Sequence, residues 1–190
     1  MNSTFYYPIA KSVTMGLLLL ASVSSSIWAA SFQGLGVLPI ESSLLQSGAT
    51  AVSFDGTAIV GTVETDSTSV AFLWTESSGT MTQVGVIDQN NPTSWATAVS
   101  TNAQFVVEFV VGHAGSDAGT QAFYRTSVPS VVGLDDLAGG QFDSRATGIS
   151  ADGQVIVGTG HSNFGSEAFR FDNPGRFAGR PGNASQRYLQ

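Results

Sequence analysis

At 190 residues the chain has room for one domain with a real core and not for two comfortable ones. It has no cysteine, which excludes disulfides, thiolate nucleophiles and cysteine metal sites. Its formal charge of −7 makes nucleic acid a poor partner, because that affinity rests on Lys and Arg neutralising phosphates. Charged residues make up 11% and hydrophobic ones 42%, with 22 glycines, a balance that suits packed β-strands joined by tight turns and argues against disorder.

The first thirty residues carry one base, Lys11, and no acid. An apolar run from Met15 to Ala21 follows, then Ser22, Ser24, Ser25 and Ser26, then Ile27-Trp28-Ala29-Ala30. A basic start, a short apolar core and small residues at the end predict a secretory signal peptide over 1–30, with cleavage after Ala29 or after Ala30. The alternative, an uncleaved membrane anchor, would need roughly 20 apolar residues to cross a hydrocarbon core. The expectation is a bacterial-type exported protein, secreted, periplasmic or at the cell surface.

Beyond the leader, three segments read alike. The first is Ala49-Thr50-Ala51-Val52-Ser53, Asp55-Gly56, Ile59-Val60-Gly61 and Ala71-Phe72-Leu73-Trp74. The second is Ala96-Thr97-Ala98-Val99-Ser100, Val110-Val111-Gly112 and Ala122-Phe123-Tyr124-Arg125; the third is Ala146-Thr147-Gly148-Ile149-Ser150, Asp152-Gly153, Ile156-Val157-Gly158 and Ala168-Phe169-Arg170-Phe171. A further apolar run precedes each copy: Leu35-Gly36-Val37-Leu38, Val84-Gly85-Val86-Ile87 and Val132-Gly133-Leu134. Four short runs broken by turn residues predict a four-stranded antiparallel unit, repeated. The recurring positions Ser53, Asp55, Gly56, Gly61, Phe72, Trp74, Ser100, Gly112, Phe123, Ser150, Asp152, Gly153, Gly158 and Phe169 are read as structural marks of that unit.

Asp55-Gly56 and Asp152-Gly153 fall where a two-residue turn needs positive φ. The inner runs at 58–61 and 155–158 are apolar throughout, as in strands covered on both faces. The second copy replaces Asp-Gly with Asn102-Ala103, and its extra length over 105–111 predicts a lengthened hairpin or a bulge.

This ordered pattern resembles the extracellular HAF repeat of bacterial exported proteins, over roughly Phe32 to Phe171. The name-giving triplet corresponds to Val70-Ala71-Phe72, Gln121-Ala122-Phe123 and Glu167-Ala168-Phe169, so its His is missing from all three copies. The resemblance implies a β-propeller-like fold and a secreted or surface location, with some relatives forming autotransporter passengers, and it implies no enzymatic activity.

The predicted fold is all-β: tandem four-stranded antiparallel blades in a partial β-propeller-like array of about three repeats. The domain reading is a signal peptide at 1–30, a β domain at 31–172 with repeats at about 35–83, 84–131 and 132–172, and an irregular tail at 173–190. Three blades are fewer than the roughly four to eight of closed propellers. An N-terminal strand at 32–40 is expected to join the last blade. The basic tail reads as a truncated or frame-shifted remnant.

No catalytic, cofactor or metal constellation is predicted. His113 and His161 fall in the second-to-third strand connections. Although Ser116 and Asp117 follow His113, no nucleophile elbow accompanies them. Asp55, Asp117 and Asp152 lack a calcium-loop spacing and read as turn residues. Trp74, Trp95 and the three repeat Phe read as inter-blade core rather than sugar platforms.

The sequence-level function is therefore an exported, non-enzymatic repeat module displaying constant-length loops at 62–70, 113–121 and 159–167. Its partner is read as a glycan or protein surface, or another copy meeting exposed blade faces. The alternatives are a fragment of a carbohydrate-active propeller enzyme and the passenger part of an autotransporter.

Overall fold

The computed structural model describes residues 30–102, 107–126 and 131–172. The contacts divide the chain after Gln33, and the fold below is that of the unit beginning at Gly34. The predicted signal peptide and the tail lie outside the described residues.

Each repeat makes one antiparallel sheet. The first holds β1 (Gln46–Val52), β2 (Ala58–Glu64), β3 (Ser69–Thr75) and β4 (Met81–Gln83), hydrogen-bonded in that order. The second holds β5 (Ser94–Thr101), β6 (Val107–Ser116), β7 (Gly119–Thr126) and β8 (Val131–Gly133). The third holds β9 (Arg145–Ile149), β10 (Val155–Ser162) and β11 (Gly165–Asp172), with β10 in the middle. No helix occurs among the described residues.

The register explains why the repeat is written as it is. The Val-Gly glycine stands directly opposite the Ala-Phe phenylalanine in every copy: Gly61 with Phe72, Gly112 with Phe123, Gly158 with Phe169. On the other side of each glycine the ladder skips one residue. The skipped residues are Thr50, Thr97 and Thr147, so the threonine of each Ala-Thr pair is the extra residue of a β-bulge. The bulge pushes a backbone carbonyl against the opposing strand. A Cβ on Gly61, Gly112 or Gly158 would land on the carbonyl oxygen of Gly48, Trp95 or Arg145, and in the first and third copies also on the facing Phe ring. Only glycine leaves that space.

The bulged threonines also join one sheet to the next. Thr50 Oγ1 donates to the Ala96 carbonyl at 2.6 Å, and Thr97 Oγ1 donates to the Ala146 carbonyl at 2.7 Å. A second bond runs in the same direction, again donated by the preceding sheet. The Ala71 amide donates to Ser94 Oγ and the Ala122 amide to Ser144 Oγ, each at 3.0 Å. The same two-bond joint thus occurs twice, its serine half buried, with Ser94 0% exposed and Ser144 1%, and its threonine half partly buried.

Apolar side chains fill in around these bonds. Ala58, Val60 and Ala71 of the first sheet pack on Ala96, Val99, Val110 and Phe123 of the second. The opposite face of the second sheet, with Val111 and Ala122, packs on Ala146, Ile156 and Phe169 of the third. Each Phe therefore points back toward the preceding repeat and each neighbouring Ala points forward. Phe123 and Phe169 lie between sheets, whereas Phe72 and Trp74 meet a different cover.

That cover corrects the ring-closing reading of residues 32–40, which contain no strand. Leu38, 2% exposed, packs instead on Val63, Val70, Phe72 and Met81, with Leu35, Ile40 and Leu45 around it. Asp66 anchors the segment, accepting from the Ser43 amide at 2.8 Å and from the Ser42 and Ser43 hydroxyls. Leucines in a polar, turn-rich stretch found the outer face of the sheet that follows them in sequence.

Three other expectations change. The fourth strand closes the sheet it follows: β4 pairs with β3 and β8 with β7, so the runs at 84–87 and 132–134 do not open the next unit. The boundary drawn between 131 and 132 falls inside β8, while that between 83 and 84 falls at the end of β4. The segments 62–70, 113–121 and 159–167 are chiefly strand, joined by short hairpins at 65–68, 117–118 and 163–164. The run at 155–158 is not covered on both faces, since Val157 is 45% exposed where Val60 and Val111 are 0%. In the second copy the expected bulge is present, as the ladder skips one residue of β6 between Val107 and Phe109, which pair with Thr101 and Ser100, with 103–106 outside the described residues.

Gly112→Ala should destabilise the fold by at least ~1–3 kcal/mol, the usual cost of forcing atoms into a filled interior. Gly48→Ala, where a Cβ meets nothing within 4 Å, should be near neutral in the same urea titration. Thr97→Val should cost about 1–3 kcal/mol by leaving the Ala146 carbonyl without its donor.

Candidate functional site

The Ser-x-Asp-Gly connections form one well-bonded turn. Gly56 (φ 78°) and Gly153 (φ 70°) are left-handed, but Asp55 and Asp152 are not. The turn is therefore wider than the expected two-residue type. The Gly56 amide donates to the Ser53 carbonyl at 3.0 Å, and the Gly153 amide to the Ser150 carbonyl at 2.8 Å. Ser53 Oγ donates to Asp55 Oδ1 at 2.5 Å and accepts from the Ala58 amide at 3.0 Å. Ser150 and Asp152 repeat this around Val155. The Ser53 hydroxyl, helped by Thr57 and Thr101, holds the Asp55 carboxyl down to about 2. Both carboxylates bond their own turns, as the sequence suggests, and Asp55 also meets Thr101 of the next sheet. Ser100, whose copy lacks the Asp, is buried at 2% exposure.

The histidines lie in strands, not loops. His113 of β6 faces Trp95 of β5 across the ladder, and the rings stack at 5.0 Å with 16° between planes. Burial, and then the nearby Arg145 charge, push His113 down to about 4, so it is neutral at pH 7. His161 of β10 shares a 3.0 Å hydrogen bond between Nδ1 and the Asp143 carbonyl, and Asp143 pairs with Arg145 at 3.0 Å. One face of Trp95 is thus occupied by His113.

The opposite end of the strands from Ser53 and Ser150 carries the more open chemistry. There the connectors entering β5 and leaving β8 pass beside the β6–β7 hairpin and enclose a cleft of about 590 Å3 lined by Ile87, Asp88, Asp117, Gln121, Asp135 and Phe142. Asp135 has φ 61° and is the described non-glycine residue with positive φ. Such backbones persist where surrounding bonds impose them. Here Gln121 Nε2 donates to Asp135 Oδ1 at 3.0 Å, and Ser144 Oγ donates to the Asp135 carbonyl at 2.5 Å. Ser144 therefore serves both the inter-sheet joint and the cleft wall.

Asp117, at the hairpin tip, is raised by a hydrogen bond with Asp88 and by that carboxylate's charge. The neighbouring carboxylate thus makes the charged form of Asp117 less favourable. Their direct contact differs from glycosidase pairs, whose carboxyls stand roughly 5–9.5 Å apart to flank a bond or a water. The cleft offers carboxylate and amide groups beside one ring, an arrangement that hydrogen-bonds hydroxyls and amides. Among the described residues no group of three His, Asp or Glu is placed to hold a metal ion.

The structure does not bring the candidate turn residues Asp55 and Asp152 together with His113 or Asp117. Sequence reading missed Gln121, Asp135 and Ser144. The Asp135-Asp136 doublet and the recurring Ser-x-Ala-Thr at 94–97 and 144–147 were the available signals. Scanned against known families the chain matches no family model, and no curated protein matches it.

Asp55 is lowered in the folded state, so it favours folding above about pH 4 and that contribution fades as pH falls toward 2. Asp55→Ala should lower the Tm most near neutrality, with the gap closing over that window. His113 is also lowered, so folding resists its protonation and stability should fall as pH drops from 6.5 toward 4. His113→Phe should flatten that part of the Tm–pH curve.

Proposed function

We propose that the chain is an exported, non-enzymatic repeat protein whose stacked sheets form a partial β-propeller-like array and present the hairpin end as a binding surface. The observation that carries this reading is the contrast between joint and tip. The two inter-sheet joints use equivalent residues with equivalent bonds, while the tips at 65–68, 117–118 and 163–164 differ in sequence. A fixed scaffold with divergent tips is the usual division of labour in displayed-loop proteins. The resemblance to HAF repeats and the signal-like leader support an extracellular setting.

For the ligand class, the cleft favours a neutral polyhydroxylated group, as on a glycan, over an anion, because Asp88, Asp117 and Asp135 line it. The abundance of acids over bases gives a nucleic acid no charge complement. A second reading, a carbohydrate-active fragment, is favoured only by the raised Asp117, which would have to act as proton donor.

A glycan array probed with the purified chain should give binders that weaken at least tenfold in Gln121→Ala, which removes the donor that positions Asp135. Binding indifferent to both Gln121→Ala and Asp117→Asn would move the site elsewhere. Hydrolysis of a glycan, lost in Asp117→Asn, would select the enzymatic reading. A reporter fused behind residues 1–30 should be exported and processed.

A further inference from the structure

The joint that links the sheets is used twice inside the chain, and its two halves recur unused at the ends of the stack. The forward half consists of a bulged Thr hydroxyl and an outward Ala amide, set among a Val and an Ala. In the first two sheets these are Thr50, Ala71 and Val60, then Thr97, Ala122 and Val111, and both alanines and both valines are 0% exposed. In the third sheet they are Thr147, Ala168 and Val157. Ala168 pairs with Thr159 in the register by which Ala71 pairs with Thr62 and Ala122 with His113. Yet Ala168 is exposed, Val157 is 45% exposed, and Thr147 Oγ1 makes only a 3.4 Å bond within its own sheet, to Val157.

The backward half consists of a Ser hydroxyl and an Ala carbonyl on the first strand of a sheet. Ser94 with Ala96, and Ser144 with Ala146, are all buried. Their equivalents on β1, Ser47 and Ala49, are exposed, as is Val52 at 59% beside them. The capping segment around Leu38 covers Val63, Val70 and Phe72. It leaves β1 bare, and β1 is the counterpart of β5 and β9, the strands that lie against the preceding sheet. The two ends therefore carry unlike and complementary halves of one interface: two donors at one end, two acceptors at the other.

We propose that two copies of this chain associate head to tail, β1 of each packing on the third sheet of the other, so that six sheets close a ring. The Thr147 hydroxyl would donate to the Ala49 carbonyl of the second copy, and the Ala168 amide to its Ser47 hydroxyl. Joining unlike faces yields a ring when the rotation closes and a filament when it does not. Six sheets fall within the roughly four to eight that closed arrays of this kind contain. The contact is independent of what the cleft binds.

Sedimentation equilibrium on the purified chain is expected to give twice the chain mass. Val157→Asp and Ala49→Glu change exposed side chains at opposite ends, and each alone should run as a monomer with an unchanged circular dichroism spectrum. Thr147→Val, which keeps the side-chain shape and removes the donor, should weaken association at least fivefold. Mixing the Val157→Asp and Ala49→Glu variants should restore a one-to-one complex, since each retains the half that the other lacks. A wild-type chain that is monomeric at every soluble concentration would overturn the proposal. So would a dimer that Ala49→Glu leaves intact, which would mean pairing of like faces, and so would open-ended polymers.

Discussion

The structure depends on one backbone event, the bulge at the threonine of each Ala-Thr pair. By inserting an extra residue opposite Gly61, Gly112 and Gly158, it drives a carbonyl into space that only a glycine leaves open, and it sets the threonine hydroxyl over the carbonyl of the facing strand, at 3.2 Å for Thr50 and Thr97. The same hydroxyl makes its shorter bond to the next sheet. A hydrogen bond between packed sheets is modest in net energy, about 0.5–1.5 kcal/mol, but leaving a desolvated acceptor unmet costs more. The bond therefore acts chiefly to fix the spacing and register of one sheet on another. Alanines at 71, 96, 122 and 146 let the backbones approach closely enough for it to form.

Repetition of that joint makes the stack nearly one-dimensional, with each sheet stabilised by its neighbours, and so the ends matter. They are treated unequally. At the front a coil rich in leucine, pinned by Asp66, stands in for the missing preceding sheet over Phe72. At the back the face bearing Val157 and Ala168 keeps the composition of a buried surface while exposed. The hairpin end is largely free of these demands. The cleft beside β6–β7, with its strained Asp135 and paired Asp88 and Asp117, draws on residues the joint does not need, except for Ser144.

Much of this was legible in the sequence. The order of the first three strands in each unit followed from Ala-Thr, Val-Gly and Ala-Phe recurring in step, because apolar runs covered on both faces have few other homes, whereas the fourth run was placed at the wrong end of the unit. The bulge was not legible, since a one-residue skip leaves the letters of the pattern intact and shows only when Gly61 is found opposite both Ala49 and Phe72. The hairpins were misjudged as long loops because polar residues such as Thr62 and Thr159 can occupy strands whose sides face solvent. The capping role of residues 35–45 escaped for a related reason: burial there comes from tertiary contact and carries no period. The cleft assembles from three connections far apart in the chain, which no local motif announces.

The claim on which all this rests is that neighbouring sheets are joined by hydrogen bonds from one repeat to the next, and hydrogen exchange tests it directly. The Ala71 and Ala122 amides donate to Ser94 and Ser144 hydroxyls across the joints. The account predicts that both exchange as slowly as the central ladder amides of β2 and β6, and that Ser94→Ala accelerates Ala71 while leaving Ala122 protected. Rapid exchange of both amides in the unmodified, folded chain would contradict it.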